Sequence, residues 1–284
     1  MVSDKDRSRL APAKINLTLH VTGQQPNGYH VLDSLVVFTE FGDEVSISAG
    51  DGLTLDVSGE QAPALAPEND NLVLRAARLM GEQGGALRLV KNLPVASGMG
   101  GGSSDAAATL HLLSDLRGAP LPSTDQAMAL GADVPVCLAA PSPCRMRGLG
   151  ERVEPVLGVP ALWMLLVNPG QALATPAVFQ ALASRQNAPM PQHLPQWSDA
   201  VGFCDWLNTQ RNDLEPPALS LVPQVAEVLT ALTQQPGCLL ARMTGSGATC
   251  FAVFASEAAL SHAAQAMRRP DWFVAATRTV GSVS

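Results

Sequence analysis

The densest chemistry in this 284-residue chain lies at Pro94-Val95-Ala96-Ser97-Gly98-Met99-Gly100-Gly101-Gly102-Ser103-Ser104-Asp105, where four glycines fall in five positions and two serines and an aspartate follow. Glycine lets the backbone turn so that successive N–H groups converge, and a helix opening just beyond adds about +0.5 of partial charge. That combination suits an anion, above all a phosphate. The alternative is a tight turn ahead of a helix capped by Ser103, Ser104 or Asp105. Neither of the commonest phosphate motifs fits. No lysine follows the glycines as in a P-loop, and Ser103 stands where the dinucleotide pattern has its third glycine. A second glycine loop, Thr244-Gly245-Ser246-Gly247-Ala248, lies near the C-terminal end.

Other residues could work beside these loops. Lys14 and Asn16 stand on the polar side of the alternating run Lys14 to Val21, either as functional groups or as part of a solvated strand face. Tyr29, the sole tyrosine, follows the Pro26-Asn27-Gly28 turn and adjoins His30. A ring with a neighbouring donor and acceptor can stack on and read a flat heterocycle, or simply pack at a strand start. Asp133 sits among Ala132, Val134, Pro135 and Val136. An acid in apolar company must be paired, hydrogen-bonded or neutralised, and with Pro135 behind it this one could equally cap a short helix.

The elements that must position these residues follow from periodicity. Leu87 to Leu93 alternates as a strand before the glycine loop, and Ala106 to Leu113 reads as a helix after it. Val31 to Thr39, Val45 to Ser48 and Leu53 to Val57 read as separate strands, punctuated by Gly42-Asp43 and Asp51-Gly52. Asn69-Asp70-Asn71 is placed to cap a helix running to about Glu82, and another spans Ser123 to Leu130. Beyond Gly158 the texture changes. Ala161 to Val167 is an apolar strand, Thr175-Pro176 opens a helix carrying Phe179, and Gln186 to Gln196 reads as a mobile Pro- and Gln-rich loop. Helices over Val201 to Thr209, Leu221 to Thr233 and Ser256 to Arg268, with strands Thr249 to Phe254 and Trp272 to Thr279, complete a second α+β unit.

Bulk properties narrow the function. A chain this long buries roughly three quarters of its unfolded surface. With 46% hydrophobic and 15% charged residues it is globular rather than disordered. A net charge of −7 without a basic run argues against nucleic-acid or membrane-surface binding. Met1 to Arg9 lacks the apolar core of a signal peptide, and no stretch reaches the roughly 20 apolar residues of a membrane span. Cysteines 137, 144, 204, 238 and 250 form no Cys-x-x-Cys pair; reduced thiols in a cytoplasmic protein are expected. The histidines lack the spacing of a zinc site.

In combination and in order, these stretches resemble the GHMP kinases, the family of galactose, homoserine, mevalonate and phosphomevalonate kinases. Pro-Ala-Lys-Ile-Asn-Leu from Pro12, Asn-Gly-Tyr-His from Asn27, Gly-Gly-Gly-Ser-Ser-Asp-Ala-Ala from Gly100 and Gly-Ala-Asp-Val-Pro from Gly131 are similar to the branch that phosphorylates diphosphocytidyl-methylerythritol at its C2 hydroxyl, in the non-mevalonate (methylerythritol phosphate) isoprenoid pathway. The resemblance implies an α+β, two-domain GHMP kinase fold. A ribosomal-protein-S5-domain-2-like ATP-binding domain would span 1–158, and a ferredoxin-like α/β-plait substrate domain 159–284.

It further implies Asp133 as catalytic base and Lys14 as catalytic lysine, its ammonium stabilising charge as the phosphoryl group moves. Asn16 would orient the substrate. Tyr29 would stack on the cytosine, His30 would hydrogen-bond it, and Phe179, after Thr175, would cover the ring's other side. The loop Pro94 to Ser104 would hold the ATP phosphates, with Lys91 and Asn71 near the base or sugar, and Gly245 and Gly247 would close over the substrate phosphates. Mg²⁺ is expected with ATP, near Ser103 or Ser104. Oligomeric state is expected to be a monomer or weak homodimer. Met99 replaces the family's usual leucine, and Val95-Ala96-Ser97 a more glycine-rich lead-in. Arg145 and Arg147 receive no role. Two other readings stay open: another small-molecule kinase such as homoserine kinase, and a catalytically inactive nucleotide-binding member of the fold.

Overall fold

Two sheets close on one apolar core, and the strands that carry the site run along its edge. The computed structural model describes residues 8–65 and 70–280; Met1 to Arg7 and Asn69, both used in the sequence reading, lie outside them. The first sheet holds β1 (Ser8–Asn16), β2 (His20–Gln24), β3 (His30–Ser48), β4 (Leu53–Ser58), β5 (Gly85–Val90), β6 (Cys144–Gly148) and β7 (Arg152–Pro155). Its order is β4-β5-β3-β6-β7, with β1 and β2 also on β3. Only β4 and β5 pair in parallel among these strands, and α1 (Leu72–Leu79) makes their crossover. Helices α2 (Gly101–Arg117), α3 (Thr124–Leu130) and α4 (Val134–Cys137) complete this half.

The second half runs β8 (Trp163–Asn168), α5 (Thr175–Gln180), α6 (Ala200–Asn208), α7 (Glu215–Leu221), α8 (Gln224–Thr233), β9 (Cys238–Met243), β10 (Cys250–Phe254), α9 (Glu257–Ala266) and β11 (Phe273–Arg278). Its antiparallel order, β11-β8-β10-β9, is that of a ferredoxin-like plait. Ile15, Leu17, Leu35 and Val37 of the first half pack with Met164, Leu166, Phe203 and Phe251 of the second in one cluster. The core is therefore continuous across the change of texture near Gly158.

Three local expectations are corrected. Gly42-Asp43 is no turn: β3 runs unbroken for 19 residues. A Cβ at Gly42 would fall on the Ala11 carbonyl and within 2.7 Å of the Pro12 Cα, so glycine is there to let β1 cross closely, while Asp43 turns inward. The run 14–21 is not one strand. The regular ladder ends at Asn16 and resumes at His20; between them the Leu17 amide still donates to the Leu35 carbonyl of β3 (2.8 Å), while Leu19 exchanges main-chain hydrogen bonds with Arg211 and Asp213 (2.9 and 2.8 Å). Its polar side is buried at Lys14, Asn16, Thr18 and His20, not solvated. The helix expected over Leu221 to Thr233 is α8 and opens only at Gln224; Leu221 instead ends α7, which the sequence reading lacked, and Val222-Pro223 separates the two.

The segment 186–196, read as mobile, is instead a fastened strap. Arg145 grips both oxygens of Asp33 (2.8 and 2.7 Å) and donates to the carbonyls of Met190, Pro191 and Gln192. The Met190 amide donates to Asp33 (3.0 Å), and the His20 ring meets the Ala188 carbonyl (3.1 Å). Arg147, the other unassigned cation, pairs with Glu154.

Candidate active site

A cleft of about 840 Å³ opens between the two halves, lined by β1, the hairpin before β3, both glycine loops, Asp133 and α5. Its floor is set by an irregularity in β1, whose register on β3 shifts between Pro12 and Lys14. A bulge re-aims the side chains that follow it. The Lys14 amide then donates to the Met99 carbonyl (3.0 Å), tying the strand to the glycine loop. Lys14 is 3% exposed, and its Nζ lies 2.8 Å from Asp133 Oδ2. Burial pulls the ammonium down, but the adjacent Asp133 carboxylate together with Cys137 and Cys144 offsets it, and Lys14 is raised above its ordinary value. Asp133 occupies the N-cap position of α4 without making a side-chain cap bond; its carboxylate is given to Lys14 instead and stays 40% exposed to the cleft.

Gly100, at φ +65°, turns the chain into α2, whose first intrahelical bond is Ser104 N–H to Gly100 O (2.8 Å). The amides of Gly101, Gly102 and Ser103 precede that bond and have no intrahelical partner, so they are available to an anion. Neither serine nor Asp105 caps the helix, contrary to the sequence expectation. The Ser104 hydroxyl donates to the Pro12 carbonyl (2.7 Å), and Asp105 turns inward to Lys91 (2.9 Å). Ala96 to Gly98 and Gly100 to Ser103 line the cleft. Met99 is fully buried in the shared core, and Pro94 lines a separate cavity beside Arg269 and Trp272.

The two residues expected near the nucleotide base or sugar both have partners within the protein. The Lys91 ammonium lies beneath Gly101, buried between Asp43 and Asp105; burial raises the Asp105 carboxyl. Asn71 caps α1 through the Val73 amide (2.9 Å).

The two glycine loops touch backbone to backbone. A Cβ at Gly98 (φ +79°) would come within 2.6 Å of the Thr244 carbonyl oxygen, and one at Gly245 within 2.6 Å of the Gly98 carbonyl oxygen. Thr249 N–H donates to the Ser97 carbonyl (3.2 Å). Gly245 and Ser246 line the cleft, while Gly247 packs behind them on Gly98. The Ser246 and Thr175 hydroxyls share a hydrogen bond of 2.7 Å, which joins this loop to the start of α5.

At the cleft's far end α5 brings Phe179 onto His30, ring centroids 4.5 Å apart and planes at 21°. Tyr29 is 62% exposed at the hairpin tip. Tyr29 and Phe179 were expected on opposite faces of the cytosine; the ring that stacks directly on Phe179 here is His30. Burial, then the positive charge of Arg185, lowers His30 below its ordinary value. Arg185, Ser246 and Thr244, whose hydroxyl accepts the Asn16 amide (2.9 Å), went unassigned in the sequence. Arg185 carries no local signal. The other two stand inside a loop whose glycines alone were read. Among the described residues no cluster of three or more His, Cys, Asp or Glu could hold a metal.

The model for the GHMP kinases N terminal domain matches residues 71–140, and that for GHMP kinases C terminal matches 195–270. A Cereibacter sphaeroides protein named 4-diphosphocytidyl-2-C-methyl-D-erythritol kinase is 54% identical over 95% of this chain and 98% of its own length. A crystal structure of 4-(cytidine 5'-diphospho)-2C-methyl-D-erythritol kinase superposes with TM-score 0.75 at 29% identity, over 96% of this chain and 100% of that one. Homoserine kinase from Cytophaga hutchinsonii shares the fold, with TM-score 0.64 at 18% identity over 99% of this chain and 96% of that one.

Proposed function

The chain belongs to the GHMP kinases, in the family of 4-diphosphocytidyl-2-C-methyl-D-erythritol kinases, and from that premise we propose that it transfers the γ-phosphoryl group of ATP to the C2 hydroxyl of 4-diphosphocytidyl-2-C-methyl-D-erythritol, a step of the non-mevalonate isoprenoid pathway. The observation that carries this reading is the Lys14–Asp133 pair, 2.8 Å apart beside a glycine loop and facing the same cleft as His30 and Phe179. It supports a phosphate donor at one end and a flat base at the other, with the acid–lysine pair between them.

In this mechanism the amides of Gly101 to Ser103 hold the donor's phosphates at the positive end of α2. Asp133 takes the proton from the acceptor hydroxyl. Lys14, fixed by burial and by the bulge, stabilises charge on the phosphoryl oxygens as the group moves. Because such transfer is loose, this fixed positive charge contributes more than the base does. His30 and Phe179 would read and cover the cytosine, with Tyr29 at the rim. The same reading carries with it a cytoplasmic enzyme that works as a monomer or weak homodimer.

Mg²⁺ fits as a companion of ATP rather than a resident of the protein. There is no carboxylate cluster among the described residues. Ser104 has spent its hydroxyl on Pro12, which leaves Ser103 as the hydroxyl beside the phosphates. When bound, the ion neutralises phosphate charge.

The test is ADP release from ATP and Mg²⁺ with the diphosphocytidyl acceptor, beside homoserine and mevalonate. Turnover with the first alone is expected. Turnover with homoserine instead, or none with a folded protein, overturns the assignment. Tyr29→Ala is expected to raise the KM for the acceptor; an unchanged KM removes Tyr29 from base recognition.

A further inference from the structure

We propose that Ser34 is a positioning residue: it fixes the Asn16 amide so that its carbonyl oxygen, not its NH₂, meets a hydroxyl of the acceptor's polyol. This rests on the kinase reading above. Ser34 is fully buried on β3. Its Oγ lies 2.5 Å from the Thr18 main-chain oxygen and 2.7 Å from Asn16 Nδ2. A main-chain oxygen can only accept, so the single hydroxyl proton of Ser34 goes to Thr18. Towards Asn16 the hydroxyl can then only accept, and the amide must turn its NH₂ to Ser34. The Asn16 main chain is held as well, its N–H donating to Thr244 Oγ1.

The consequence falls on the other end of the amide. Asn16 Oδ1 is buried and without a hydrogen-bond partner. Six buried side-chain polar atoms are in this condition among the described residues, and only Asn16 Oδ1 and His30 Nε2 belong to residues lining the cleft. Buried polar atoms are almost always satisfied, so two exceptions in one cleft mark where a ligand completes the bonding. Asn16 shares a strand face with Lys14, two residues before it. A lone acceptor there needs a proton donor. A free hydroxyl supplies one; an ester or phosphate oxygen has none to give. The Ser34–Asn16 relay therefore selects a polyol hydroxyl beside the reacting centre.

The test is a double-mutant cycle in steady-state kinetics, using wild type, Ser34→Ala, Asn16→Ala and the double variant with ATP and the diphosphocytidyl acceptor. Ser34→Ala is expected to raise the acceptor KM about tenfold, the worth of one oriented hydrogen bond. It should leave the ATP KM unchanged and add nothing once Asn16 is alanine. Ser34→Thr, which keeps the hydroxyl, should restore the acceptor KM. Ser34→Cys, which keeps the volume with a weaker donor and acceptor, should shift the acceptor KM alone and carries the test if the alanine variant does not fold. An unchanged acceptor KM, a parallel rise in both KM values, or full additivity with Asn16→Ala overturns the proposal. Absence of wild-type turnover with this acceptor would instead overturn the functional reading.

Discussion

At the scale of single residues, the site is built by taking charge out of water and pairing it. The two lysines among the described residues, Lys14 and Lys91, are both 3% exposed and both ion-paired, yet they serve different ends. Lys14 faces a half-open carboxylate and has a substrate to act on; Lys91 faces two closed ones and holds the floor under the loop. Asp133→Asn keeps the size and removes the base. It is expected to bind ATP and acceptor normally and to lose on the order of 10²–10⁴ in turnover, measured by ADP release. His30 gives a pH dependence of definite sign. Its value is lowered from the ordinary 6.5, so the neutral ring that can share a base edge persists through neutrality. The acceptor KM should stay level from pH 8 to 6.5 and rise only below that, read from ADP release across a pH series. Lys14 and Asp133 were legible one at a time, Lys14 beside Asn16 on the polar side of an alternating run and Asp133 as an acid in apolar company. Their pairing was not derivable from spacing, because 119 residues separate them; it came from the resemblance.

Elements extend the same logic. The glycine loop was legible because its function is written in consecutive residues. Gly42-Asp43 misled because its glycine answers to β1, some thirty residues away, and its aspartate to the main chain of Asn92 and Leu93 (2.5 and 2.8 Å). The strap at 186–196 was opaque for a related reason: nothing within it signals order. Its order comes from Asp33 on β3 and Arg145 on β6, neighbours only once the sheet forms. That pair is nearly closed to solvent, with side chains 4% and 7% exposed. Arg145→Met would leave Asp33 buried without its cation, at about 3–5 kcal/mol, whereas Asp33→Asn with Arg145→Met should recover much of that loss. Thermal melts of the two variants check this. Proteolysis within 186–196 should be fast in the single variant only if the strap depends on the pair for its place.

On the scale of the whole molecule, the halves cannot be treated as a donor domain hinged to an acceptor domain. They share one apolar core. Arg242 of β9 reaches the Leu17 carbonyl (2.8 Å), and the two glycine loops meet with no room for a side chain. Gly245→Ala should therefore act on both sides at once. A methyl against the Gly98 carbonyl, at a φ of +56° that alanine resists, is expected to lower stability by more than 1 kcal/mol and to raise the KM of ATP although Gly245 belongs to the second half. Equal KM for ATP in the variant and wild type would separate the loops functionally. The shared core carries a consequence for the protein's fate in a cell. If the chain unfolds as one unit, a metabolite gripping either half stabilises all of it, by about 2.7 kcal/mol at a hundred times its dissociation constant. Degradation of this enzyme would then slow when its pathway is supplied and quicken when the upstream metabolite runs short, so that abundance follows flux without any dedicated regulator.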